Sequence, residues 1–352
     1  MSPAAISSIY IPQFQVFAGT TNLSGNLTPH MLSVKYNESM GGKASTFEIQ
    51  LEDSTHAFQN NPPAAGLAVS LAIGYQGMPL TSCGNFEVDE WASDGPPDTF
   101  TLKGVQAGIT HALRSPKSMA YEGQTLSSIA TTIANRYGMT VLIDAVDPDV
   151  VYARLTQRTE SDLGFLHRIA NAHDYEFKVR GNQLYFYGRT SLDSAAPSVP
   201  ALDKTDVIRY KIRQQHIGKK RSYASAVTTH FDPLSKKLLT ALATDPNATS
   251  VDTLHIIERI ENQQQGALRA QSHLHAANMH QIKASMTIPG TMAYRSGNTV
   301  MLTGFGKFDT VKFIIEEAKH KLEGSGYTTD LELRTTVTAT GSTQIISDED
   351  ED

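Results

Sequence analysis

The strongest constraint on this chain is a period of two in its apolar residues. Across residues 45–51, Phe47, Ile49 and Leu51 alternate with Glu48 and Gln50, and Leu67, Val69, Leu71 and Ile73 repeat the pattern. A side chain that points to the same face every second residue belongs to a half-buried β-strand. Residues 85–91 and 99–105 add a second pair of such runs, separated by the turn-forming residues 94–98 (Asp-Gly-Pro-Pro-Asp). Several short strands joined by turns predict a small barrel or sandwich over residues 1–112.

Between 113 and 190 the period changes. Thr125 is placed to cap a helix bearing Leu126, Ile129, Ala130, Ile133 and Tyr137, and Gly138 stops it. A second helix is predicted over 160–172, with Leu163, Leu166, Ile169 and Ala170 on its apolar face. Residues 176–180 and 183–187 then read as a hairpin turning at Gly181-Asn182. Residues 191–200 have the composition of a linker. More strands are expected across 201–255, including the basic alternation Arg209-Tyr210-Lys211-Ile212-Arg213, followed by a helix over 262–280 and a β region to about 342. The chain is thus expected to be a β-rich α+β protein, divided at 1–112, 113–190, 191–255, 256–342 and 343–352.

Charge narrows the function. Of the 352 residues, 30 are Lys or Arg and 36 are Asp or Glu, a formal net charge of −6. The run Asp348-Glu349-Asp350-Glu351-Asp352 holds five of those six excess charges, leaving −1 for the rest. Such a run of like charge is expected to be a solvated tail. Without a basic bias, phosphate binding as a primary role is disfavoured. No stretch is long enough for the ~20 apolar residues of a membrane helix. No Lys or Arg precedes Lys35, so a secretory leader is not expected and synthesis in a cytoplasm is.

Catalytic motifs are missing. There is no Gly-x-Ser-x-Gly elbow, no phosphate loop, and none of the twelve histidines precedes a glutamate as a zinc helix requires. Cys83 is the only cysteine, which leaves a buried, inert thiol as the expectation. On a helix His273 and His275 diverge by about 200°, and His273 and His280 lie ~10.5 Å apart along the axis, so they are expected to form a solvated polar face rather than a metal site. The pair His173-Asp174, with His167 nearby, is expected to end a helix. Asp144, Asp147 and Asp149 are expected to form a surface turn, and the basic run from Arg209 to Arg221 the wet face of a strand. No cofactor and no metal is expected.

Two blocks of residues together resemble a known family. The first runs from Tyr121-Glu-Gly123 through Thr125, Leu126, Ile129, Ala130 and Gly138 to Leu163, Leu166 and the Tyr175 to Tyr187 hairpin. The second comprises Pro289-Gly290, Gly297, Gly304, Gly306, His320, Gly326 and the segment Leu331-Glu-Leu-Arg334. In that order and spacing they resemble the phage late control protein D family, the tail hub proteins of contractile-tailed phages and pyocin-like particles. The resemblance implies a structural protein of the virion tail, assembled in the bacterial cytoplasm as a homotrimeric ring. It implies two tube-protein-like β-barrels per subunit, an inserted α+β module and a further small β domain. The implied partners are a trimeric spike, the tail tube and baseplate wedge proteins, with no membrane and with DNA only as passing cargo. A ring that passes DNA is expected to present it a neutral or acidic wall. Residues 123–138 are also similar to a LysM module, which would make the chain a peptidoglycan-binding or tail-associated cell-wall protein acting through a βααβ unit in the segment 115–190. A tail-associated wall hydrolase is the weaker enzymatic alternative.

Overall fold

The computed structural model describes residues 10–107, 111–144, 149, 151–214, 223–232, 236–248, 250–258, 260, 263–279, 282–337 and 340–342. Among these, β-strands dominate, and one sheet of thirteen strands runs through most of the molecule. The strand Thr46–Glu52 buries Phe47, Ile49 and Leu51 and turns Glu48 and Gln50 outward, as the alternation requires. Ala68–Tyr75 does the same with Val69, Leu71 and Ile73. The hairpin of Thr81–Asp94 and Thr99–Gln106 completes this part.

The sheet curls around two separate cores. Phe14 and Val16, from near one end of the strand order, share a core with Val34, Tyr36, Phe47 and Phe86. A second core gathers Met286, Ile288, Val300, Leu302, Phe313, Ile315 and Leu331. The long strand Lys312–Glu323 serves both, with Phe313 and Ile315 in one core and Leu322 in the other. Its register shifts between Ile315 and Glu317, and such a bulge bends a strand from one core toward the next. The two β regions at either end of the sequence are joined directly, because Met31–Ser39 pairs antiparallel with Lys312–Glu323.

The inserted module packs two helices, Leu126–Arg136 and Asp162–Ala172, into a core with Tyr121, Phe177, Val179, Leu184 and Phe186. Thr125 caps the first, its side-chain oxygen accepting from the Ser128 N–H, and Gly138 ends it in the left-handed conformation at φ +64°. The helices are not consecutive. Strands Thr140–Ile143 and Val151–Ser161 lie between them, so the order is not the βααβ of a compact LysM unit. A smaller sheet of Ser225–Asp232, Lys237–Thr244, Thr253–Ile257 and Thr340–Ser342 carries the helix Gln263–Asn278 on one side. That contact is close because alanines meet there: Ala226, Ala243 and Ala270 are all fully buried.

Several expectations change. The stretch read as a linker opens as part of the helix Arg189–Ser194, with Asp193 buried. In the basic strand Arg209–Gln214, Tyr210 is 45% exposed alongside Arg209, Lys211 and Arg213. This strand is the last of its sheet, so its inward face lacks a neighbour on one side. Residues 215–222, with Lys219 and Arg221, lie outside the described residues, as do Asp147, His280 and 343–352.

Candidate functional site

The family-motif residues fall into two structural groups and do not converge on one point. Leu126, Ile129, Ala130 and Leu166 are fully buried in the module core, with Leu163 partly buried against it. Gly123 and Thr125 lie at the end of the strand Pro116–Thr125 that leads into the first helix. Gly297, Gly304, Gly306 and Gly326 lie in or beside the connections between the C-terminal strands. Pro289 ends the strand Ile282–Pro289. Gly290 follows it under the ring of Tyr327, where a Cβ would come to 2.0 Å from Tyr327 Cγ. Its backbone is held from both sides: its N–H donates to the Tyr327 carbonyl at 2.8 Å, and its own carbonyl accepts from the Tyr75 hydroxyl at 2.8 Å.

Chemistry concentrates instead where the module docks on the rest of the chain. Arg189 Nε donates to Glu176 at 3.0 Å, and Arg189 Nη1 lies 3.5 Å from Asp174. His275, on the helix Gln263–Asn278, bridges Asp174 at 3.3 Å and Asp193 at 2.7 Å through its two ring nitrogens. Asp193 also accepts the Val337 N–H at 2.6 Å. From the strand Gly326–Thr335, Arg334 reaches Asp193 at 3.5 Å, Glu316 at 3.7 Å and Glu176 at 3.8 Å. Arg334 is 1% exposed and His275 0%. A second tie lies nearby: Lys178 Nζ donates to Glu38 and to Ser296 Oγ, each at 2.7 Å.

The environment sets the protonation of these groups. Burial alone would push His275 down, but Asp174 and Asp193 outweigh it and raise it to about 9, so the ring is a cation held between two carboxylates. Burial raises the Glu316 carboxyl, with Lys283 and Arg334 opposing. His173 moves the other way. Burial, helped by Arg269, lowers it to about 4, and its Nε2 pairs with the Tyr152 hydroxyl. His320 is also lowered to about 4 by burial, against Tyr327 and Thr329. The Cys83 thiol is buried and pushed up to about 12, the inert state expected of it.

This arrangement corrects the reading of the histidine helix. His273 is exposed, as expected of a polar face, but His275 is the centre of a buried charge cluster. No local pattern marks it, because its carboxylate partners lie 82 and 101 residues away along the chain. Arg334 was visible only as the last residue of a strand. Its alternation places it on the sheet's outer face with Asp330 and Glu332, where Glu176, Asp193 and Glu316 surround it. A cleft of about 750 Å³ opens beside the junction. Its charged walls are largely self-paired, as in Arg189–Glu176 at 3.0 Å and Arg269–Glu258 at 3.3 Å. Among the described residues no cluster of three or more His, Cys, Asp or Glu is arranged to hold a metal, and no helix is long and apolar enough to cross a membrane. The junction is equipped to fix one domain against another.

No family model matches the chain. It is 25% identical over 195 residues to the probable baseplate hub protein of Escherichia phage 186, and 26% identical over 179 residues to that of Escherichia phage P2. These alignments cover 55% and 51% of this chain, and the chain spans about half the length of the curated relatives it matches. Its fold is that of the 43 kDa tail protein of prophage MuSo2 from Shewanella oneidensis, at a TM-score of 0.68 and 14% identity, covering 92% of this chain and 98% of the other. These relatives carry the names of tail and hub proteins, not of enzymes. On the residues quoted from its sequence and on these alignments, the chain is similar to phage baseplate hub proteins.

Proposed function

We propose that this chain is a structural, non-enzymatic tail hub subunit. Three copies close a ring at the centre of the baseplate, with a trimeric spike on one side and the hexameric tail tube on the other. The observation that carries this reading is one continuous sheet wrapped around two cores. Two tube-protein-like barrels per subunit give three subunits a pseudo-sixfold surface, which is the match a threefold spike needs to a sixfold tube. In this reading residues 1–112 and 256–342 supply the barrels, and 113–190 and 191–255 are domains carried on them. Gly123, Thr125, Gly138, Pro289, Gly290, Gly297, Gly304, Gly306 and Gly326 shape the connections, and the charged junction fixes the module. Closed rings of identical subunits need heterologous interfaces, and sheet edges such as Arg209–Gln214 can supply them. Baseplate wedge proteins pack around the ring, and assembly takes place in the host cytoplasm.

DNA enters only as passing cargo. The outer face of the N-terminal strands suits that role, since its charges pair across strands. Lys35 meets Glu48 at 2.7 Å, and Lys103 meets Glu90 at 3.5 Å. A mosaic of this kind offers a polyanion no sustained attraction. Native mass spectrometry tests the assignment. A trimer, formed alone or on co-expression with the spike, is expected. A stable monomer under both conditions would overturn it.

A further inference from the structure

Two stretches of strand edge in the large sheet are open among the described residues, and they carry opposite charge. Arg209–Gln214 is the last strand of its sheet and pairs only with Ile282–Pro289. Its register sets Arg209, Lys211 and Arg213 on the outer face, all exposed, and Tyr210 and Ile212 on the inner one. The second open stretch is the far end of Thr81–Asp94. The neighbouring strand Ala68–Tyr75 pairs with it only as far as Glu87, so residues 89–94 have a ladder on one side alone, with Thr99–Gln106. In this arm Glu90 and Asp94 face outward, and Trp91, 41% exposed, lies inward, stacked on Phe100. Lys103 is the only basic residue between 81 and 106, against Glu87, Asp89, Glu90, Asp94 and Asp98.

The cations protect their edge from a copy of itself, because antiparallel pairing would set like charges opposite one another. An acidic strand meets no such barrier. The spacing of the two stretches matches, since Glu90 and Asp94 are four residues apart and so are Arg209 and Arg213. Their directions match as well. Seven antiparallel steps lead across the sheet from Arg209–Gln214 to Thr81–Asp94, so these two strands run in opposite senses. Laid beside the edge of another copy, the acidic arm therefore continues the antiparallel alternation without a break. We propose that residues 89–94 of one copy pair with Arg209–Gln214 of the next. Glu90 then faces Arg213 and Asp94 faces Arg209 on the outer side, while Trp91 faces Ile212 on the inner side. Each copy uses a different edge toward each neighbour, the heterologous contact that a closed ring repeats. This inference rests on the proposed ring and assigns its subunit contact.

Native mass spectrometry and carbodiimide cross-linking of the full-length chain at low salt test this, alone and with the spike co-expressed. In assemblies formed from an equal mixture of ¹⁴N- and ¹⁵N-labelled protein, Lys211 should link to Glu90 and Asp94. Those links should join different labels as often as the same one. The variants R209E and D94R, each altered at an exposed position and checked for folding by circular dichroism, should both assemble less well. With one exposed pair reversed at every contact of the ring, half-assembly should need roughly tenfold more protein, a difference that ~1 M salt should shrink. The double variant R209E/D94R, with the charges exchanged across the contact, should assemble like the wild type. A trimer that withstands both single reversals, a double variant no better than either, or links confined to one label would overturn this contact and leave the ring standing. A wild-type chain that stays monomeric under both conditions would overturn both.

Discussion

Raising the pH from 6.5 to 9 should loosen the hold of the inserted module on the C-terminal half, because His275 then loses its proton. The ring is protonated in the folded protein up to about pH 9, against 6.5 for a free histidine, since Asp174 and Asp193 clasp it in a fully buried site. At 1.36 kcal/mol per pKa unit, that difference is worth about 3 kcal/mol. The raised folded-state value fixes the sign. The contribution is fully present below pH 6.5, shrinks as the unfolded chain ceases to bind the proton, and is gone above pH 9. The other charged groups facing the ring do not blur this window, because Arg189 and Arg334 stay charged and the remaining partners are carboxylates. Urea unfolding followed by circular dichroism, at constant ionic strength and half-unit pH steps, measures the effect. Wild-type stability should fall by about 3 kcal/mol from pH 6.5 to 9, while His275→Gln stays level across the same range. Parallel curves for the two proteins would refute the reasoning, since the slope would then belong to another group.

Other perturbations follow from the same packing. Below pH 6.5 the sign reverses: His173 and His320, both lowered to about 4, stay neutral in the folded state while the unfolded chain takes up protons, so each removes about 3 kcal/mol between pH 6.5 and 4. His320→Gln should flatten part of that acid limb in the same urea assay. Gly290→Ala forces a methyl into the ring of Tyr327 and should cost about 1–3 kcal/mol, seen as a lower thermal midpoint. Arg334→Met leaves Glu176, Glu316 and Asp193 short of a buried cation and should cost about 3–5 kcal/mol, with faster amide exchange in the strand Tyr175–Arg180.

What could be read from the sequence was local. Phe47, Ile49 and Leu51 declared a strand because adjacent residues carry the whole pattern, and Thr125 and Gly138 marked a helix at both ends. The charged junction was illegible for the opposite reason. Lys178 and Glu38 are separated by 140 residues, and His275 on a polar-looking helix differs from His273 only by facing a domain folded elsewhere. Asp193 sat in a stretch whose Ser, Ala and Pro content suggested a linker, and its burial depends on Val337 and His275 reaching it. Tyr210 broke its alternation because a strand at the end of a sheet has one flank uncovered, a property of topology rather than of period.

The pairing of Met31–Ser39 with Lys312–Glu323 also bears on how the protein is made. A ribosome delivers the first of these strands nearly three hundred residues before the second, so the early β region emerges with one flank open for most of translation. Leu322 and Tyr327, which help to fill its core, arrive equally late. The inserted module holds its own core within residues 113–186 and can fold on the nascent chain, while the sheet on either side waits for its last strands. Premature chain termination before residue 312 should therefore yield aggregates, not a smaller folded protein.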